Sequence, residues 1–284
     1  MLLAYLRLTK PRVVGLLVVT TIPAMILAER GMPSGWLILA TVAGGSIVAG
    51  GANALNMYFD RDIDKLMSRT RGRPVPAGQI EPLRAALFGL VLAAVGFVLL
   101  QTFANLLAAS LTIGACAFYV VIYTLLLKRK TSLNIVIGGA AGAAPPVIGW
   151  AAVTGEIAIP AVIMFLIVTV WTPPHFWALS LNFGSDYEKA GVPMLNVVSG
   201  SDETKKQILL YSIALVVVTL LLPIWSAAGA IYTSAAVVLG AGFLYYAYRL
   251  YRDFSTGTSA ALFRYSLVYL ALLFGAIALD GLID

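Results

Sequence analysis

The stretch GWLILATVAGGSIVAGGANALNMYFDRDIDKLMSRTRGRPVPAG (residues 35–78) sets a long apolar run directly against a dense cluster of charge. Residues 35–57 contain no Asp, Glu, Lys or Arg. A helix rises about 1.5 Å per residue and a bilayer core is about 30 Å thick, so roughly 20 apolar residues make one crossing. The run therefore reads as a transmembrane helix that reaches the aqueous boundary near Asp60.

Working outward, similar runs occupy 13–28, 83–101, 104–126, 134–152, 159–181, 206–223, 229–250 and 262–279, each ended by polar or helix-breaking residues. Only Gln101, Thr102 and Phe103 separate the third and fourth runs, which reads as a tight hairpin. The composition agrees: 60% of the 284 residues are hydrophobic and 11% charged, whereas a soluble domain carries about 25% charge. The expectation is an all-α, polytopic membrane bundle of nine helices around one central cavity, forming a single domain over 1–284. The opening MLLAYLRLTKPR lacks the residue order of a cleaved signal peptide, so the first crossing is expected to act as the insertion signal.

The net charge of +6 does not point to nucleic acid, because the basic residues cluster in short links between apolar runs. With a cytoplasmic N-terminus, every Lys and Arg of the 19 except Arg30 falls on the cytoplasmic side. That bias predicts N-terminus in and C-terminus out, in a multi-pass protein of the cell membrane surrounded by lipid. Two links, about 58–82 and 182–205, are long and polar and lie on that side, which places the active site there. The lone cysteine, Cys116, lies within an apolar run and reads as a buried inert thiol.

Asn56, Asp60 and Asp64 are spaced i, i+4, i+8. On a helix each step of four advances about 6 Å and 400°, so the three oxygen-bearing side chains form one stripe. Asp62 falls about 200° from Asp60 around the helix and need not face that stripe. Crowded carboxylates repel unless a cation neutralises them, and oxygen-only ligands suit Mg²⁺ shared with a phosphate. Arg69, Arg71 and Arg73 follow, and guanidinium forks match phosphate oxygens. Carboxylates, arginines and an apolar interior together indicate a metal-bound phosphate or diphosphate with a lipid-like remainder. Arg61, Lys65 and Arg71 also fit plain solvation of the link.

A second unusual run is FLIVTVWTPPHFWALSLNFGSDYEKAGVPMLNVVSG (165–200). Pro173 and Pro174 are expected to interrupt the sixth helix, with His175, the only histidine, beside them. His175 reads either as a hydrogen-bonded packing residue or as a contact to a planar ligand. Asp186 offers a further metal ligand facing the first stripe. Ser201 is expected to cap the seventh helix, with Asp202 and Glu203 in its first turn. Gly138 and Gly142 have the spacing of a close helix contact, and Asn134 is polar at the membrane face.

At this point the chain resembles the intramembrane aromatic prenyltransferase superfamily, and within it the protohaem IX farnesyltransferases. The resemblance rests on LTKPRVVGLLVVTT (8–21), NALNMYFDRDIDKLMSRTRGRPVPAG (53–78), NIVIGGAAGAAPPVIGWAAVTG (134–155), WTPPHFWALS (171–180) and DYEKAGVPMLNVV (186–198). It implies Mg²⁺ and diphosphate binding by Asn56, Asp60 and Asp64, a basic neighbourhood from Arg69 and Arg73, and a second acidic site at Asp186. Tyr187 matches the family string beside Asp186, and Lys130, Asn134, His175 and Tyr187 are the residues expected near the bound molecules. The implied substrates are farnesyl diphosphate and protohaem IX, with transient contact to haem A synthase or the cytochrome oxidase assembly machinery. The chain departs from the pattern at Ala190, where the superfamily has an acid, at Leu181–Gly184, where basic residues are common, and at Asn196, where proline is. A prenyltransferase for a quinone precursor or lipid alcohol, a solute transporter and a non-catalytic assembly protein stay open as rivals.

Overall fold

The computed structural model describes residues 1–226 and 228–283. Among them are nine helices long and apolar enough to cross a membrane. They are α1 (Pro11–Glu29), α2 (Gly35–Phe59), α3 (Pro82–Phe103), α4 (Leu106–Leu127), α5 (Asn134–Thr154), α6 (Ile159–Ser180), α7 (Gly200–Trp225), α8 (Ala230–Arg252) and α9 (Thr256–Ile283). Short helices Leu2–Leu8, Arg61–Leu66, Gly184–Lys189 and Leu195–Val198 lie outside the spans. Leu83, Leu87, Leu90, Val91 and Val98 of α3 are all more than half exposed. A face so apolar is stable only against lipid.

Each spanning helix packs on the next, and α9 returns to α1, so the chain closes a ring. Two further contacts, α1 on α5 and α6 on α9, cross its interior. One part of the interior is packed around Trp171, Met164, Tyr269 and Phe274. Two concavities open toward the ends, one beside Phe59 and Arg129 and one beside Arg30 and Trp150. In lipid the helices gain little from hydrophobic transfer against one another and rely on close contact instead. The α2–α3 seam supplies it: a Cβ on Gly51 would stand 2.5 Å from the Gly89 carbonyl oxygen.

Several local expectations are corrected. Helix α6 runs unbroken through Pro173 and Pro174, and α5 through Pro145 and Pro146. Packing on both sides holds these helices straight enough to tolerate the lost N–H groups. The close contacts of α5 are Gly138 against Tyr123, Gly139 against Thr172 and Gly149 against the Thr21 carbonyl of α1, while Gly142 faces open space. Helix α7 starts at Gly200, several residues before its apolar run, and Ser201 lies inside it; Ser199 is the N-cap residue, with no side-chain capping bond. Asp202 and Glu203 do sit in the first turn, where the helix dipole favours them. At the far end, Asp280 Oδ2 accepts from the Gly229 and Tyr232 amides, each at 2.7 Å, and so caps α8 from α9.

Candidate active site

Asn56 lies in the last turn of α2, and Asp60 forms the hinge between α2 and the short helix Arg61–Leu66. With φ −88° and ψ 3°, Asp60 sits in the bridge region and redirects the chain by a small bend. The stripe survives the bend: Asn56 Nδ2 donates to Asp60 Oδ2 at 2.7 Å. Asn56, Asp60 and Asp64 are all buried, Asp60 completely. Buried carboxylates cost several kcal/mol each unless paired.

The pairing comes from two cations, and a third donates to Asn56. Lys128 Nζ pairs with Asp60 Oδ2, and Arg73 NH1 meets Asp64 Oδ2 at 2.7 Å. Lys10 Nζ donates to Asn56 Oδ1 at 2.9 Å. In the sequence Lys10 and Lys128 bear only on topology, because 46 and 68 residues separate them from their partners. No local spacing signals either one.

Lys128 reaches the stripe through an irregular helix. Residues Phe118–Leu127 of α4 form a π-helix, a rare conformation that concentrates at functional sites. Thr124 Oγ1 donates to the Tyr119 carbonyl five residues back at 2.9 Å and accepts from Asn56 Nδ2 at 3.1 Å. The widened helix thereby aims Thr124 and Lys128 at the end of α2. Gly138 permits it, since a Cβ there would lie 2.2 Å from Tyr123 Cδ2.

Asn56, Asp60 and Asp64 fit a divalent cation on one structural observation: the buried Asp60 Oδ1 has no hydrogen-bond partner. Lys128 pairs with the other oxygen of this carboxylate, so Oδ1 is the atom left without a donor, in an oxygen-only donor set of the kind Mg²⁺ takes. Among the described residues, no group of three or more Asp, Glu, His or Cys gathers into a complete ligand cage. A carboxylate pair plus substrate oxygens is the arrangement left.

Asp186 does not join the stripe. Its Oδ2 accepts from the Ser68 amide at 2.9 Å and from Ser68 Oγ at 2.5 Å, tying the second link to the first. Those bonds hold its carboxyl below the usual range. Tyr187 beside it is buried. Arg69 and Lys130 are exposed and, among the described residues, form no ion pair. Asn134 is fully buried; its Nδ2 donates to the Thr131 carbonyl at 2.7 Å, and its Oδ1 is unpartnered.

His175 is held as a packing residue. Trp171 and Phe263 stack on it with centroids at 4.3 and 4.6 Å, and its Nδ1 lies 2.6 Å from Ser266 Oγ. Two near-parallel rings thus stack on the imidazole, the environment of a packed side chain.

The profile of the UbiA prenyltransferase family matches residues 17–274. The chain belongs to this family. It is 53% identical over 283 residues to protoheme IX farnesyltransferase 1 of Saccharopolyspora erythraea, covering 99% of this chain and 90% of that one. A protoheme IX farnesyltransferase of a Roseiflexus species is 49% identical over 98% of this chain, which spans 52% of that relative's length. Among solved structures, a digeranylgeranylglyceryl phosphate synthase superposes with a TM-score of 0.81 at 20% identity, covering 100% of this chain and 99% of that one. A UbiA homolog from Archaeoglobus fulgidus bound to DMAPP and Mg²⁺ gives 0.70 at 18% identity, covering 96% and 98%. The two structures establish the shared fold along the whole chain. The family resemblance read from the strings at 8–21 through 186–198 is borne out.

Proposed function

We propose that this chain transfers a farnesyl group from farnesyl diphosphate to a vinyl group of protohaem IX. One water adds, diphosphate leaves, and the product carries a hydroxyethylfarnesyl side chain. The observation that carries this reading is the buried Asn56–Asp60–Asp64 stripe with Lys10, Lys128 and Arg73 around it, at the end of an apolar bundle. Relatives bearing the name protoheme IX farnesyltransferase support haem as acceptor.

The three cations stabilise the negative charge that develops as the carbon–oxygen bond of the donor breaks. Arg69, exposed on the same link, is free to join them. Asp60, Asp64 and Asn56 hold Mg²⁺, which when bound neutralises the carboxylates and the diphosphate oxygens; Mg²⁺ in the Archaeoglobus fulgidus homolog supports this. The apolar helices keep water from the allylic carbon before the vinyl group reaches it. Asp186 acts by holding the two links together through Ser68 rather than as a metal ligand in this state. Asn134 and Tyr187 face the acceptor, Lys130 meets its charged edge at the rim, and His175 stiffens the wall behind it.

The whole chain works as one domain with its N-terminus in the cytoplasm, its C-terminus outside and the links 58–82 and 182–205 on the cytoplasmic side. The distribution of Lys and Arg supports that orientation. Contact with haem A synthase or with cytochrome oxidase assembly would pass the product onward within the membrane.

Incubating the purified protein with protohaem, farnesyl diphosphate and Mg²⁺, followed by mass analysis of the porphyrin, tests the reaction. The hydroxyethylfarnesyl product is expected, and its loss on chelation with EDTA. An unmodified porphyrin alongside a prenylated quinone precursor would reject haem as the acceptor and keep the family.

Lys10 adds a pH signature. Burial, and then repulsion from Arg73 and Lys128, brings its ammonium down to about 7. A depressed pKa means that the native chain binds fewer protons than the unfolded one between about pH 7 and the ordinary lysine range, so stability rises with pH across that window. Anion binding runs the other way, because only the ammonium attracts diphosphate. KM for farnesyl diphosphate is expected to rise above pH 7 by up to about tenfold per unit. In Lys10→Arg, steady-state measurements between pH 7 and 9 should give a flat profile. A wild-type profile equally flat would remove Lys10 from diphosphate binding.

A further inference from the structure

Arg129 follows Lys128 at the end of the π-helix and turns to the outer side of the Asp60 hinge. Its NH1 bonds Asp62 Oδ2 at 2.6 Å and its NH2 bonds Asp62 Oδ1 at 2.7 Å, a bidentate pair. The same NH2 donates to the Phe59 carbonyl, the last of α2, at 2.9 Å. It also stands 4.0 Å from Asp60 Oδ1, the buried oxygen without a hydrogen-bond partner. Phe59, Arg61, Asp62, Thr124, Leu125 and Arg129 line a concavity of about 380 Å³ at this place.

An exposed ion pair contributes about 0.2–1 kcal/mol, and Asp62 is 61% exposed. Stability therefore gives little account of the pair. Geometry gives a better one. A guanidinium next to a carboxylate oxygen that lacks a hydrogen-bond donor closes on it unless something else holds it, and a fork is held best by a bidentate carboxylate. Asp62 supplies that carboxylate, and a short movement would otherwise bring NH2 into hydrogen-bond range of Oδ1.

We infer that Asp62 is a positioning residue that holds Arg129 off Asp60 and so keeps the Asp60 Oδ1 atom available to a divalent cation. The inference rests on the reading of Asp60 as a metal ligand. Asp62 lies outside the stripe and touches neither the metal nor the substrate. It acts by occupying the guanidinium that would otherwise close on Asp60 Oδ1. Lys128 and Arg73 differ in kind, since they pair with the Oδ2 atoms and leave Asp60 Oδ1 alone.

Binding of Mn²⁺ alone to the full chain in detergent, followed by electron paramagnetic resonance, reads this directly. Asp62→Ala is expected to weaken Mn²⁺ binding about tenfold, because the freed Arg129 competes for Oδ1. Arg129→Gln alone should stay within about twofold of wild type, and adding it to Asp62→Ala should restore the affinity to about that level. Simple loss of charge predicts a different cycle, in which Arg129→Gln tightens binding equally in both backgrounds. That additive result, or an Asp62→Ala affinity equal to wild type, or no rescue in the double variant, would overturn the inference while leaving the metal site standing. Wild-type protein that binds no Mn²⁺ would overturn the metal-ligand reading itself, and the inference with it.

Discussion

Asp60→Asn and Asp64→Asn should each lower kcat by about a thousandfold or more, which corresponds to about 4 kcal/mol of lost transition-state stabilisation. Each substitution keeps the shape of the side chain and removes one anionic oxygen from a buried site. Asp60→Asn leaves Lys128 without its partner and takes away the free Oδ1 charge on which cation binding depends. Asp64→Asn frees Arg73 in the same way. The fold should survive both. The Lys128 and Arg73 side chains are 15% and 22% exposed, so each can turn to water and avoid the full cost of a stranded buried charge. Glu188→Gln, an exposed acid of the second link, should keep turnover within about twofold, since surface changes away from a site have small effects. Turnover of the purified variants, set against their yield in the folded monodisperse fraction, separates chemistry from folding. Normal turnover in either Asp variant would remove that residue from metal and diphosphate binding.

Much of this site was legible before the structure. Apolar runs located all nine spans, because a membrane leaves helices no other way to satisfy their backbone. Polar helix ends were harder: 200–205 and 256–261 are helical although their composition reads as link. The stripe at Asn56, Asp60 and Asp64 emerged from spacing alone, since one helix fixes its direction. Lys10, Thr124 and Lys128 did not, because tertiary packing brings them to it. The π-helix was equally hidden, as a run of apolar residues carries no mark of a five-residue hydrogen-bond period. Pro173 and Pro174 misled for the opposite reason. Proline weakens an isolated helix by removing a hydrogen bond, yet here α5, α7 and α9 pack around α6 and hold it. That same packing brings His175 against Trp171 and against Phe263 from α9, contacts no local spacing announced.

The second large effect is expected at a glycine seven ångströms or so along the helix from Asn56, at about 1.5 Å per residue. Gly51→Ala would place its Cβ 2.5 Å from the Gly89 carbonyl oxygen and 3.1 Å from the Ala93 amide nitrogen. Both are backbone atoms of α3, so no side chain can swing aside and the helices themselves must part. Overpacking of this kind costs about 1–3 kcal/mol, and we expect the upper end because the seam extends to Gly44 and Gly96. Gly45→Ala is the matched control. It sits on the same helix with nothing within 4 Å of its Cβ, and replacing a helical glycine by alanine there should stabilise by about 0.5–1 kcal/mol. One substitution type on one helix is thus expected to act with opposite signs. Unfolding midpoints of the two variants in mixed micelles would show it. Because α2 carries Asn56 and ends on the Asp60 hinge, parting the seam should also displace the stripe from Lys10 and Lys128. Gly51→Ala is therefore expected to lose turnover beyond what its folded fraction explains. Equal stability of the two variants would mean that α2 and α3 do not approach as closely as the seam requires.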